Sequence, residues 1–290
     1  MCRLIDDILV FLQANGFECT VQIRSRLDVI CTQTLDRKHS RVLIPLEISA
    51  HSPEEAKVQA ETAASVIEDM SSSDCGRPII ITEDRWHSQR EMMKARVLAH
   101  LEVFDQVYAR NCEIRRIDKI TAAEFLSANH SYGDSSSRYR YGLFLKRHTG
   151  HIAADGAERW KYPVGTLVAV ATFSNARKWI KGEQTIRSYE WIRYASLPGL
   201  RISGGMGKLL KTFIEEVKPD DIMSYADLEW SNGEVYKTLG FIEESMKGPV
   251  MFTVDRHWER TPISRCPQHE DPSYFQNFGS LKYRLRLTEV

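Results

Sequence analysis

The sequence predicts a mixed α/β (α+β) protein in two parts. Residues 1–104 form a small α-β-β-β-α-β module, and residues 105–290 form a mixed, largely antiparallel sheet flanked by helices. Three observations predict this. Apolar residues alternate repeatedly between helical and strand periodicity. A chain of 290 residues, 42% hydrophobic and 27% charged, can bury a sizeable core and make two ordinary domains. Charge also divides between the parts: residues 1–104 hold 12 Lys/Arg against 16 Asp/Glu, and residues 105–290 hold 27 against 23.

In the first module Leu4, Ile5, Ile8, Leu9, Phe11 and Leu12 recur at helical spacing up to a stop at Asn15-Gly16. Three β-rich runs follow over 17–23, 27–32 and 41–48, broken at 24–26 and at the polar stretch 36–40. Ser52 as N-cap, Pro53 at the first helical position and Glu54-Glu55 in the first turn open a helix that Ser71-Ser72-Ser73 ends. Ile79-Ile80-Ile81-Thr82 is a buried strand, and one longer helix is expected over about 84–104.

The second part opens with a strand over 106–117 and a helix over 121–129, capped by Thr121 with Glu124 three residues on. Strands over 139–146, 163–175 and 188–195 predict a central antiparallel sheet, with 148–156 as a loop. A glycine loop and helix follow over 203–217. Next come a strand over 222–227, a helix over 233–239 and strands near 241 and over 249–254. The tail beyond Asp255, with Pro262, Pro267 and Pro272, reads as an extended arm ending in a strand over 281–287.

Composition narrows the function classes. The longest apolar runs, 79–82 and 164–173, are strand-sized, which predicts no membrane partner. Asp6 and Asp7 stand where a signal peptide needs an unbroken apolar region, so the expected location is the cytoplasm. The six cysteines include no CxxC pair and no zinc-ligand spacing, the pattern of free thiols in a reducing compartment. Residues 138–211 hold 14 Lys/Arg against 4 Asp/Glu, interleaved with aromatics such as Tyr139, Trp160, Trp179 and Trp191. Such a segment suits nucleic acid, through phosphate neutralisation and base stacking; the other reading is sheet core with scattered charges.

The sharpest local signal is Arg201-Ile202-Ser203-Gly204-Gly205-Met206-Gly207-Lys208 between a strand and an amphipathic helix. Glycines at a helix start let backbone N–H groups close on an anion such as a pyrophosphate. Without a ligand the same residues make a plain turn. The spacing is not that of a Walker loop, since Leu209 follows Lys208.

The run Tyr236-Lys237-Thr238-Leu239-Gly240-Phe241 follows some thirty residues later. Together the two motifs resemble the GCN5-related N-acetyltransferase superfamily over roughly residues 115–255. That resemblance implies acetyl-CoA or another acyl-CoA as donor, held by Ser203, Gly204, Gly205, Met206, Gly207 and Lys208, and an amine as acceptor. It also implies Tyr236 as the acid that protonates the departing thiolate. Ile202 stands where the family carries Gln or Arg.

Glu190-Trp191-Ile192-Arg193-Tyr194, Ser224-Tyr225-Ala226-Asp227 and Trp230-Ser231-Asn232-Gly233 extend the likeness to the phage Mom-type DNA-modification proteins and to the C-terminal domain of phage homing-endonuclease-like proteins. By that resemblance the acceptor is the exocyclic amine of a nucleic-acid base. His130 with Tyr132, Arg193, Asp227 and Tyr236 are then the catalytic candidates, with Asp227 or His130 as base. Read singly, His130 can serve the helix dipole, Asp227 can cap a turn, Arg193 can be an ion-pair residue and Tyr236 can be core.

The first module resembles the PD-(D/E)xK nuclease core, with Asp28 on its second strand and Glu47-Ile48-Ser49 ending the third. That resemblance implies Mg²⁺ between Asp28 and Glu47, with Ser49 in place of the usual Lys and His51 following. The module's net acidity favours a nuclease-like fold without activity, with a Mg²⁺-dependent endonuclease as the alternative. The other alternative is a DNA-binding protein with no catalysis.

Overall fold

The computed structural model describes residues 3–34, 37–71, 75–147, 149–152, 158–181, 184–265 and 271–288; for 149–152, 158–161 and 181 it describes the backbone alone. The chain divides into two compact units. One gathers Met1–Val103, Tyr225–Glu234 and Glu244–Lys282; the other gathers Phe104–Ser224, Val235–Glu243 and Tyr283–Val290. The sequence suggested a single crossing near residue 104, whereas the chain returns to the first unit twice.

The first unit begins α1 (Leu4–Ala14), β1 (Cys19–Arg24), β2 (Leu27–Gln33), β3 (Ser40–Leu46), α2 (Pro53–Met70) and β4 (Ile79–Thr82), the order expected. Strands β1, β2 and β3 are antiparallel, and β3 pairs β4 in parallel across the α2 crossover. Both faces of the sheet are covered. Ile30, Leu43, Ile79 and Ile81 pack with Leu4, Ile5, Ile8 and Leu12 of α1, while Val29, Val42, Ile44 and Ile80 pack with Ala60, Ala63, Val66 and Ile67 of α2. Burial on two sides is why β4 carries apolar residues without alternation. Ser52 caps α2 as its sequence predicts, accepting from Glu55 N–H at 3.2 Å. Ser71 follows α2 as its C-cap, and Ser72 and Ser73 lie outside the described residues.

The helix expected over 84–104 is two helices, α3 (Glu83–Ser88) and α4 (Arg90–His100). Ser88 Oγ donates to Asp84 C=O, Gln89 leaves helical geometry, and Asp7 of α1 takes both Trp86 Nε1 at 3.0 Å and Arg90 at 2.6 Å. The tail is likewise no simple arm. Within it β16 (Met251–Val254) lies between β17 (Arg260–Pro262) and β18 (Ser273–Gln276), and Val254, Phe275 and Phe278 join the α2 side of the core. Arg260 fixes this sheet to the first strands, contacting Asp84, Glu229 at 3.1 Å and Thr82 at 2.6 Å.

The second unit starts with β5 (Asp105–Tyr108) and β6 (Cys112–Arg116), separated by a 3₁₀ turn at Ala109–Asn111 where one strand was expected. Helix α5 (Lys119–Asn129) is capped by Asp118, which accepts Thr121 N–H at 2.8 Å, so the cap lies three residues before the expected Thr121. Next come β7 (Tyr139–Leu145), β8 (Thr149–Ile152), β9 (Glu158–Tyr162), β10 (Leu167–Phe173), β11 (Arg177–Lys181), β12 (Gln184–Ser196), β13 (Leu200–Ser203), α6 (Gly205–Val217), β14 (Asp221–Asp227) and α7 (Glu234–Thr238). Strands β8 and β9 pair in the segment expected to be a loop, of which His148 and 153–156 lie outside the described residues.

With β15 (Ile242–Lys247) and β19 (Ser280–Arg286), the main sheet has the order β15-β19-β14-β12-β10-β7-β6, with β11 on β12. It is largely antiparallel except that β12 and β14 run parallel. Phe213 of α6 covers one face, stacked on Phe173 at 3.9 Å and edge-on to Tyr141 and Tyr189. Ala122, Phe125 and Leu126 of α5 cover Val170 and Ala195 on the other. No helix among the described residues is long and apolar enough to cross a membrane.

Candidate active site

The glycine loop folds as a helix entrance. Gly204 is left-handed (φ 76°) and serves as N-cap with no side chain, and the first intrahelical bond is Lys208 N–H to Gly204 C=O at 3.0 Å. The N–H groups of Gly205, Met206 and Gly207 therefore precede the hydrogen-bonded helix, where the dipole also favours an anion. Gly205 is required by packing: a Cβ there would lie 2.9 Å from Ile202 Cγ2 and 3.2 Å from the Tyr194 hydroxyl.

The flanking polar residues are turned to structure. Ser203 Oγ accepts from Gln106 Nε2 at 2.7 Å across the parallel β13–β5 pair. Lys208 Nζ donates to Ala109 C=O at 3.0 Å and Cys112 C=O at 2.5 Å, closing the break between β5 and β6. The Lys208 ammonium thus holds the main chain between β5 and β6, and the groups left open at the helix start are main-chain N–H groups.

Strands β12 and β14 pair only from Ser188↔Asp221 to Glu190↔Met223, and β12 then continues along β10. Where they part, Ser224 Oγ reaches Trp191 C=O at 2.9 Å and the Tyr236 hydroxyl at 2.8 Å. Tyr236 stacks on Tyr283 and meets Phe241 edge-on, and burial raises its pKa above the usual tyrosine value.

Arg193 follows on β12. Its Nε donates to Gly133 C=O at 3.2 Å, its Nη1 to Ile192 C=O at 2.9 Å, and its guanidinium lies over the Tyr132 ring at 5.8 Å. Burial pulls its pKa down, opposed by the charges of Glu190 and Asp134 and by the Tyr132 and Tyr236 hydroxyls. Within the described residues no carboxylate lies close enough to form an ion pair with it. Thr172, directly opposite Arg193 on β10, has a buried Oγ1 with no hydrogen-bond partner among the described residues, and so does Asp134 at Oδ1.

The structure therefore brings together Arg193, Tyr236 and the segment that carries Tyr132 and Asp134. His130 caps α5, and its Nδ1 accepts Tyr132 N–H at 3.1 Å. That bond engages one ring nitrogen within the turn that follows α5. Asp227 lies in the first unit: its Oδ1 accepts Glu229 N–H at 3.0 Å, its C=O accepts Trp230 and Ser231 N–H, and Arg85 stands 3.7 Å away. Its carboxylate is used to cap a turn and to face an arginine. Sequence spacing does not single out Ser224, Asp134 or Thr172: Ser224 lies on β14 just past its pairing with β12, Asp134 in the loop between α5 and β7, and Thr172 within the paired strand β10.

On the first unit, Arg3 lies against Asp28 and 3.8 Å from Glu47. Among the described residues no group of three His, Cys, Asp or Glu is placed to hold a metal.

No protein-family model matches the chain, and no curated protein matches it. Among solved structures it is similar to a GNAT-family acetyltransferase from Bacillus anthracis (13% identity, 61% of this chain and 95% of that one, TM-score 0.30). It is also similar to YncA from Salmonella typhimurium, solved with its cofactor acetyl-CoA (13%, 62% and 96%, TM-score 0.36). A third likeness is to a chimera of the Vibrio cholerae spermidine N-acetyltransferase (10%, 61% and 95%, TM-score 0.32).

Proposed function

We propose that the chain transfers an acyl group from an acyl-CoA to an amine, with the exocyclic amine of a nucleic-acid base as acceptor. The observation that carries this reading is the convergence of Arg193 and Tyr236 where β12 and β14 part, in the unit that also holds the N–H cradle of α6. The cradle fits a pyrophosphate: three peptide N–H groups at a helix start are donors for phosphate oxygens, and Gly204 leaves its entrance free of a side chain.

Bound acyl-CoA supplies an activated thioester carbonyl and a thiolate leaving group. Gly205, Met206 and Gly207 hold the donor through main-chain N–H groups. Tyr236, kept protonated by burial and placed by Ser224, gives its proton to the departing sulfur. Arg193, which among the described residues has no carboxylate within ion-pair distance, binds an acceptor phosphate or the charge that develops at the carbonyl oxygen. Asp134, whose Oδ1 lacks a partner, takes the amine proton in place of His130 or Asp227. The basic segment 138–211 supports a polyanionic acceptor.

The test is a thermal-shift titration with acetyl-CoA. A saturable rise, about 2.7 kcal/mol of stabilisation at a hundredfold excess over Kd, is expected, and Gly207→Glu, whose Cβ would meet only Leu239 at 3.4 Å, abolishes it. Mass spectrometry of adenine-containing DNA incubated with enzyme and donor then shows added acyl mass. No shift up to millimolar acyl-CoA rejects the donor.

A further inference from the structure

Strands β11 and β12 form a hairpin paired from Arg177↔Ser188 to Lys181↔Gln184, and β11 lies off the main path of the sheet. Every residue from Arg177 to Ile180 is exposed; Trp179 keeps 43% and Ile180 77% of their accessible surface. An edge strand carrying an aromatic and a β-branched residue into solvent is costly unless something covers it. Pairing also sets Lys178 directly opposite Arg187, a like-charge arrangement that destabilises a ribbon. Arg187 is drawn to Asp220 at 3.3 Å, whereas among the described residues Arg177 and Lys178 pair with no carboxylate.

We infer that this hairpin is a docking surface for a nucleic-acid strand, with a base stacked on Trp179, a phosphate on Arg177 of the same strand face, and a neighbouring phosphate on Lys178, which projects from the other face of this edge strand. Charge complementarity selects this occupant, since the hairpin stands within the segment that holds 14 Lys/Arg against 4 Asp/Glu. A second copy paired through β11 would bring Arg177 and Lys178 toward their own equivalents, and repulsion disfavours it. The inference needs no acyl donor, and it rests on the nucleic-acid acceptor of the proposed function.

The experiment is fluorescence anisotropy of the full chain with a labelled DNA of about 20 nucleotides, single-stranded and duplex, between about 50 and 200 mM salt. Binding should weaken steeply with salt. Arg177→Glu/Lys178→Glu should lose at least about tenfold in affinity and lower the salt slope by about two. Trp179→Leu, which keeps an apolar side chain opposite buried Ile186, should lose about tenfold on the single strand. If charge reversal unfolds the chain, Arg177→Gln/Lys178→Gln gives the same readout at smaller amplitude. Unchanged affinity and slope in the folded variants overturn the proposal. So does an effect confined to self-association in sedimentation or to binding of anionic vesicles. The acetyl-CoA thermal shift stays intact in every variant, so failure here and failure of the transferase reading are told apart.

Discussion

Tyr236 and Ser224 face each other across 2.8 Å at the point where β12 and β14 separate, and the same Ser224 oxygen holds Trp191 C=O at 2.9 Å. A serine hydroxyl thus stands in for the strand pairing that stops at Glu190↔Met223, and it fixes the phenol beside Arg193. Tyr236→Phe removes the hydroxyl proposed as the acid and keeps the ring stack on Tyr283. The expected result is a fall in kcat of about 10²–10⁴, with acetyl-CoA binding retained. Because burial raises the Tyr236 pKa, the phenol stays protonated through neutral pH, and any alkaline loss of rate due to it should begin at higher pH than an ordinary tyrosine would give.

Helix α2, strand β4 and the entrance to α6 were legible in the sequence because each is decided locally. Ser52-Pro53 carries its own cap, Ile79-Ile80-Ile81 its own double burial, and Gly204 its own left-handed turn. The corrections come from partners far apart in the chain. Asp7 breaks the α3–α4 helix from 79 residues away, and Arg260 meets Asp84 across a separation of 176, where no periodicity could register it. The site divides in the same way. The cradle glycines are a local motif, whereas the roles of Lys208 and Asp227 depend on Cys112 and Arg85, which sequence spacing does not bring near.

Lys208 tests the difference between holding the donor and holding the fold. Its ammonium serves two main-chain carbonyls at the turn between β5 and β6. Lys208→Met should therefore cost about 1.5–3 kcal/mol of stability in denaturant unfolding and leave the acetyl-CoA shift in place. Loss of the shift in a variant of unchanged stability would instead make Lys208 a direct ligand of the donor.

Arg260 should dominate the stability of the first unit. Its guanidinium contacts Asp84 and Glu229, both 1% exposed, so Arg260→Met leaves two buried carboxylates without that partner. A loss of about 3–5 kcal/mol is expected. Replacing Asp84 by Asn in the same chain should restore part of it, because one uncompensated charge is then gone. A cost below about 1 kcal/mol, the range of exposed pairs, would show that solvent reaches the network.

His100 gives the first unit an acid-sensitive point. Its ring stacks on Trp230, and burial, with Arg96 and Arg41 adding to it, lowers its pKa from 6.5 to about 4. The folded state therefore binds this proton less readily than the unfolded chain. The stability it contributes is complete above about pH 6.5 and is lost progressively as pH falls toward about 4. Denaturant unfolding followed between these limits should show the decline, and His100→Gln, which carries no titrating proton, should flatten it. An equal slope in the variant would assign the acid loss to the carboxylates, whose protonation removes ion pairs such as Asp7–Arg90.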